Sequence, residues 1–221
     1  MASVVDLPGL PNANYRIAGA GDFNSDGKPD LLLRNDVTGQ NALWLMNGAT
    51  IISIRDLPAL PNPAYRIGGV GDFNGDGSPD ILWRNASTGQ NAVWLMNGTS
   101  FASVVDLPGL ANPNYQMQGS ADFNGDGKAD IVWRNTATGQ NAVWLMNGTG
   151  LLSIMDLPAL SNTAYRIGGI ADYNADGRPD LVWRNSSTGQ NALWLLNGAA
   201  LGSIVDLPGL ANPAYEIAGP R

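Results

Sequence analysis

The stretch Asn91–Asn97 (NAVWLMN) is apolar on both of its alternating sets, with Ala92, Trp94 and Met96 on one side and Val93 and Leu95 on the other. Neither face of such a strand suits water, so it belongs in a sheet covered on both sides. Around it lie three further runs of strand length: Tyr65–Phe73 (YRIGGVGDF), Ile81–Asn85 (ILWRN) and Phe101–Val105 (FASVV). An acidic loop joins the first two and the turn ASTGQ joins the second to Asn91–Asn97. Asn97-Gly98 predicts a tight type I′ hairpin into the last. Four short antiparallel strands are the outcome.

The pattern recurs every 50 residues: Asp6, Asp56, Asp106, Asp156 and Asp206 each open an Asp-Leu-Pro tripeptide, and Asp22, Asp72, Asp122 and Asp172 each open the acidic loop. There are four complete units, about 11–60, 61–110, 111–160 and 161–210, and a 21-residue overlap in which 201–221 repeats 1–21. Identical small sheets with two apolar faces cover one another by stacking radially around an axis. The predicted fold is therefore all-β, a single β-propeller domain or propeller fragment over 1–221 with four-stranded antiparallel blades. Gly68, Gly69 and Gly71 fall in the first strand of a unit, where innermost strands crowd the channel. Glycine, proline and Asn-Gly at this density would break the helices of the alternative repeat architecture. Because the two ends duplicate each other, a four-bladed ring leaves one terminal copy outside the regular ladder. A larger ring takes blades from further sequence or a second chain, and a homo-oligomer completing the ring is the favoured expectation. The near-identity of the units fits a recent duplication, a fragment of a longer array or an engineered chain.

Each acidic loop reads Asp-x-Asn-x-Asp-Gly-x-x-Asp. The first holds Asp22, Asn24, Asp26, Lys28 and Asp30; the second Asp72, Asn74, Asp76, Ser78 and Asp80. The third holds Asp122, Asn124, Asp126, Lys128 and Asp130; the fourth Asp172, Asn174, Asp176, Arg178 and Asp180. Oxygen donors at positions 1, 3 and 5, a turn glycine at 6, a backbone carbonyl at 7 and a carboxylate at 9 are the parts of a calcium site. The loops contain 12 of the 19 acidic residues, an arrangement that repels itself unless a divalent ion converts repulsion to attraction. One Ca²⁺ per loop, four in all, would take the net charge from -7 to about +1. Position 12 is Leu33, Trp83, Trp133 or Trp183, so the bidentate glutamate of an EF-hand is missing. The competing reading is a set of ordinary Asx-turns.

Composition removes whole classes of chemistry. Without cysteine or histidine there is no thiolate zinc site, no cysteine nucleophile and no imidazole base. Net charge -7 argues against nucleic acid as a partner, and the short apolar runs argue against a membrane span. The start MASVVDLPGL has no basic leader with an apolar core, so no secretory signal is read in the chain as given.

The loop followed by an apolar strand, recurring in a propeller-type unit, resembles the FG-GAP/VCBS repeat family over essentially the whole chain. Members of that family include the propeller of integrin α-subunits and propeller lectins. The resemblance implies calcium held by the four loop sets above, an extracellular or cell-surface location and a non-enzymatic binding role, with no catalytic residues. Trp83-Arg84-Asn85 stands where the integrin type has Gly-Ala-Pro, which moves the likeness toward the bacterial variety. Glycan recognition is then the first expectation. Candidate ligand residues are Trp83, Arg84, Trp94, Trp133, Arg134, Trp144, Trp183, Arg184 and Trp194, since aromatics beside arginine suit sugar rings and hydroxyls. The alternatives are packing of these tryptophans between blades, and a structural scaffold or protein adhesion module with no small-molecule ligand. Arg34, Arg84, Arg134 and Arg184 are expected to pair with the Asp-Leu-Pro aspartates Asp56, Asp106, Asp156 and Asp206. The Thr-Gly-Gln-Asn segments read as polar turns.

Overall fold

The computed structural model describes residues 6–10, 12–212 and 215–217. Its described residues contain no helix, and hence none long and apolar enough to cross a membrane. Among the described residues, sixteen strands form four antiparallel sheets, each in simple chain order. The first blade comprises β1 (Tyr15–Gly21), β2 (Asp30–Asn35), β3 (Asn41–Asn47) and β4 (Thr50–Leu57). The second comprises β5 (Tyr65–Gly71), β6 (Asp80–Asn85), β7 (Asn91–Asn97) and β8 (Ser100–Leu107). The third comprises β9 (Tyr115–Ala121), β10 (Asp130–Asn135), β11 (Asn141–Asn147) and β12 (Gly150–Leu157). In the fourth are β13 (Tyr165–Ala171), β14 (Asp180–Asn185), β15 (Asn191–Asn197) and β16 (Ala200–Leu207). Together they make a four-bladed β-propeller whose innermost strands β1, β5, β9 and β13 adjoin in chain order.

Burial follows the apolar pattern. The second strands are buried almost throughout and the third nearly so, while the outer strands face water at most positions. Three large cores lie between blades, not within them: Phe73, Leu82 and Val93 of the second blade meet Ile131, Trp133, Trp144 and Met146 of the third. Equivalent clusters join the first blade to the second and the third to the fourth. The inner-strand glycines permit this approach. A Cβ on Gly69 would lie 2.6 Å from Ser120 Oγ, and one on Gly168 would lie 2.6 Å from Ile217 Cβ.

Two local expectations change. The β7–β8 connection pairs Asn97 with Ser100, so the two-residue loop is Gly98-Thr99. Only Gly98 has positive φ (57°), which is the pattern of a II′ turn and not the predicted I′. The terminal copies also divide the ladder between them instead of one being wholly surplus. The first contributes Tyr15–Gly21 as an inner strand, and the last contributes Ala200–Leu207 as an outer one. Residues 1–5 of the overlap lie outside the described residues.

Acidic loops and interblade clefts

The acidic loop is shaped by its own side chains. In the second blade, Asp72 Oδ1 accepts from the Gly75 and Asp76 N–H groups and Oδ2 from Gly77 N–H at 2.7 Å. Asn74 Oδ1 accepts from Asp76 N–H, and Asp76 Oδ1 from Ser78 N–H. Hydrogen bonds from the Asn74 side chain and Ser78 N–H hold the Asp76 carboxyl below its ordinary range. Positions 4 and 6 adopt left-handed φ in every copy, including the non-glycine residues Ser25 (59°) and Ala175 (61°).

Position 9 behaves differently. Asp30, Asp80, Asp130 and Asp180 are wholly buried. Asp80 Oδ2 accepts from Phe73 N–H at 2.9 Å and Oδ1 from Met96 N–H at 2.8 Å, tying the loop to the second and third strands. Burial, and then the nearby charges of Asp76 and Asp72, push the Asp80 carboxyl up to about 6. The same causes, with Asp122 and Asp126 supplying the charge, push Asp130 up to about 6.

The donor set therefore fits a hard cation in chemistry: three carboxylates and an amide oxygen in each loop, in the second and third close enough for repulsion to register. Among the described residues no three acidic side chains converge on one point, because their oxygens are turned toward backbone N–H groups. Oxygens that accept one such bond, among them Asp72 Oδ2, Asn74 Oδ1 and Asp76 Oδ1, keep a second lone pair, whereas Asp72 Oδ1 and Asp122 Oδ1 each accept two. A groove of about 790 Å³ runs between the third and fourth loops, lined by Asp122, Asn124, Asp172, Asp176 and Arg178 among others.

The structure takes the recurrent tryptophans away from solvent. Trp83, Trp133 and Trp183 are at most 1% exposed, and Trp94, Trp144 and Trp194 are buried between the same blades. Three of the four arginines reach across to the next blade: the Cζ atoms of Arg34, Arg84 and Arg134 stand 4.9 Å from the ring centroids of Trp83, Trp133 and Trp183. The expected pairing with the Asp-Leu-Pro aspartates does not occur. Asp56, Asp106, Asp156 and Asp206 are exposed, and all ion pairs among the described residues involve Asp36. Arg84 instead donates through Nη1 to Asn91 Oδ1 and through Nη2 to the Leu110 and Asn112 carbonyls. Carbonyls win because the connector closes over the guanidinium, while the aspartates point outward from the edge strands.

Asn91 and its equivalents, read from sequence as part of a polar turn, are keystones. Asn91 is 2% exposed, accepts from Arg84 and donates to the Pro108 carbonyl at 2.7 Å. Asn85 Oδ1 caps the turn by accepting from the Ser87 and Thr88 N–H groups. Their signal was an asparagine at each end of the turn, repeated every 50 residues beside otherwise apolar strands.

Between inner strands the structure opens clefts that sequence reasoning missed. One of about 330 Å³ lies between the second and third blades, with Arg66, Arg84, Tyr115 and Gln116 on its walls. Its counterpart of about 290 Å³ beside the fourth blade has Arg166, Arg184, Tyr215 and Glu216 in the same places. Of the nine candidate ligand residues, only Arg84 and Arg184 line these clefts.

Comparison with known proteins agrees with this architecture. Virginiamycin B lyase from Staphylococcus aureus superposes at TM-score 0.53 with 14% identity, over 90% of this chain and 57% of that one. The Photorhabdus luminescens Tc holotoxin pore does so at 0.55 with 20% identity, over 91% and 10%. The nidogen/laminin complex gives 0.55 with 16% identity, over 81% and 61%. The chain spans less than two thirds of each, and at these identities the likeness is one of fold. No curated protein matches the sequence. The FG-GAP-like repeat profile matches residues 22–83 and 122–183, more than half of the chain. The chain belongs to the FG-GAP-like repeat family.

Proposed function

We propose that this propeller is a calcium-stabilised, non-enzymatic binding module that works outside the cell and takes glycans in its interblade clefts. The observation that carries the calcium part is fourfold repetition: each loop offers the same half-buried or exposed Asp and Asn oxygens beside a buried carboxylate. For the glycan part, the supporting feature is the mixed lining of the clefts. Tyr115 and Met117 supply an apolar wall, and Arg66 and Gln116 supply hydrogen-bonding groups. Identical loops in every unit argue for a structural ion over a single asymmetric catalytic centre.

Calorimetry with calcium on chelator-treated protein tests the first part. Up to four ions should bind and the melting temperature should rise with calcium concentration; no heat and no shift at millimolar calcium would refute it. A glycan array tests the second. Saturable binding weakened by Tyr115→Ala supports it, and silence over a broad panel refutes it.

A second reading, a self-assembling scaffold, draws on Tyr215–Ile217. Ile217 seats against Gly168 as Met117 seats against Gly68, so this segment takes the place of a following blade's inner strand. Tyr173 is 42% exposed where Phe23, Phe73 and Phe123 are at most 2%. Mass in solution decides: a monomer at high concentration rules assembly out.

A further inference from the structure

Two neighbouring clefts of this propeller differ by a carboxylate and one of the three arginines around it, and the difference shows what the second can hold. Between the first and second blades, Asp36 fills the space. Its Oδ2 accepts from Arg16 Nε at 2.9 Å, and its Oδ1 lies 3.8 Å from Arg34 Nε and 3.8 Å from Arg66 Nη1. Fifty residues on, the equivalents of Arg16, Arg34, Asp36 and Arg66 are Arg66, Arg84, Ala86 and Gln116. All four line the 330 Å³ cleft, which has two guanidinium groups and no acidic residue on its walls.

Arg84 is 5% exposed and carries its charge without a carboxylate partner. Its Nη atoms are used by Gly89, Asn91, Leu110 and Asn112, all neutral acceptors. Its Nε, the atom that in Arg34 faces Asp36, has no hydrogen-bond acceptor among the described residues. The counterpart cleft beside the fourth blade also leaves Arg184 Nε without an acceptor, but it carries an acidic residue on its wall, Glu216 in the place of Gln116.

We infer that the cleft between the second and third blades is a carboxylate-binding site, in which an exogenous carboxylate takes the place that Asp36 occupies one blade earlier, between Arg66, Arg84 and Gln116. The cavity has room beyond the carboxylate for a body of monosaccharide size, so an acidic sugar is the ligand class it fits. The inference deepens the glycan reading above, yet the two can fail separately.

Titration of the calcium-loaded protein with acetate, glucuronate and methyl glucoside, followed by NMR shifts or calorimetry, separates them. Acetate reports the carboxylate alone and methyl glucoside the sugar alone. Glucuronate and acetate are expected to compete for one site, with glucuronate tighter than the glucoside and its binding weakened by added salt. Arg66→Gln, at a half-exposed side chain whose other partners are the Pro63 carbonyl and Asp36, should weaken glucuronate about tenfold or more. Ala86→Asp should abolish binding by installing the built-in carboxylate, and Asp36→Ala should add a second site. Glucuronate binding no tighter than the glucoside, or unaltered by both Arg66→Gln and Ala86→Asp, would overturn the inference. In that case glucoside binding would leave the glycan reading standing.

Discussion

At the residue scale the acidic loop combines strain with repetition. Position 4 has left-handed φ whether it is glycine, as in Gly75 and Gly125, or carries a side chain, as in Ser25 and Ala175. A Cβ in that region costs about 1–2 kcal/mol, partly offset by the entropy glycine loses on folding. Ser25→Gly and Ala175→Gly should each therefore stabilise by roughly 0.5–1 kcal/mol in urea denaturation. The buried position-9 carboxylates give a pH dependence. Asp80 and Asp130 have folded values near 6, above the ordinary 3.8, so the folded state binds more protons between those limits. Calcium-free protein should lose stability as pH rises from 4 to 6 and stay at the lower level above it, with the slope reduced in Asp80→Asn. The proposed calcium site needs the ionised form, so calcium affinity is predicted to fall as pH drops through about 6. The Asp-x-Asn-x-Asp-Gly spacing was legible in the sequence. What it did not reveal is that the last aspartate is a buried tie between strands, because its partner N–H groups lie 7 and 16 residues away.

At the element scale, the strands were read from alternation nearly to their ends, since an apolar pattern of period two is a local property. Their mutual fastening was not. The turn after β6 looks like solvated polar residues, but its asparagines and the preceding arginine form one buried network with the following connector. Asn91→Ala leaves Arg84 Nη1 and the Pro108 carbonyl each short of a partner. A loss of about 1–3 kcal/mol is expected in urea unfolding, against under about 0.5 for Thr88→Ala at the exposed rim of the same turn. Equal effects would show that the asparagine is only a turn former. The tryptophans follow the same logic: Leu33 fills the corresponding place in the first blade, and the described residues provide no arginine from a preceding blade to stack there.

At the scale of the whole molecule, charge and order of blades dominate. A net charge of -7 concentrated in four loops makes the calcium-free fold work against its own repulsion. Its melting temperature should rise between 10 and 150 mM NaCl in the presence of chelator, and this salt dependence should shrink once calcium is bound; equal salt slopes would contradict the charge argument. The sequence by itself determined the 50-residue period, the four strands per unit, the two-faced apolar strands that demand stacking, and the location of the acidic loops. These are properties of neighbouring residues, and backbone geometry translates them directly into strands and turns. Tertiary structure alone decided that the arginines stack on the next blade's tryptophans, that the two terminal copies supply different strands, and that Asp36 fills one cleft while Ala86 leaves its sibling open. Such contacts join residues 20 to 50 positions apart, and which of them meet is settled by close packing between blades, where a single side chain changes what a cavity can hold.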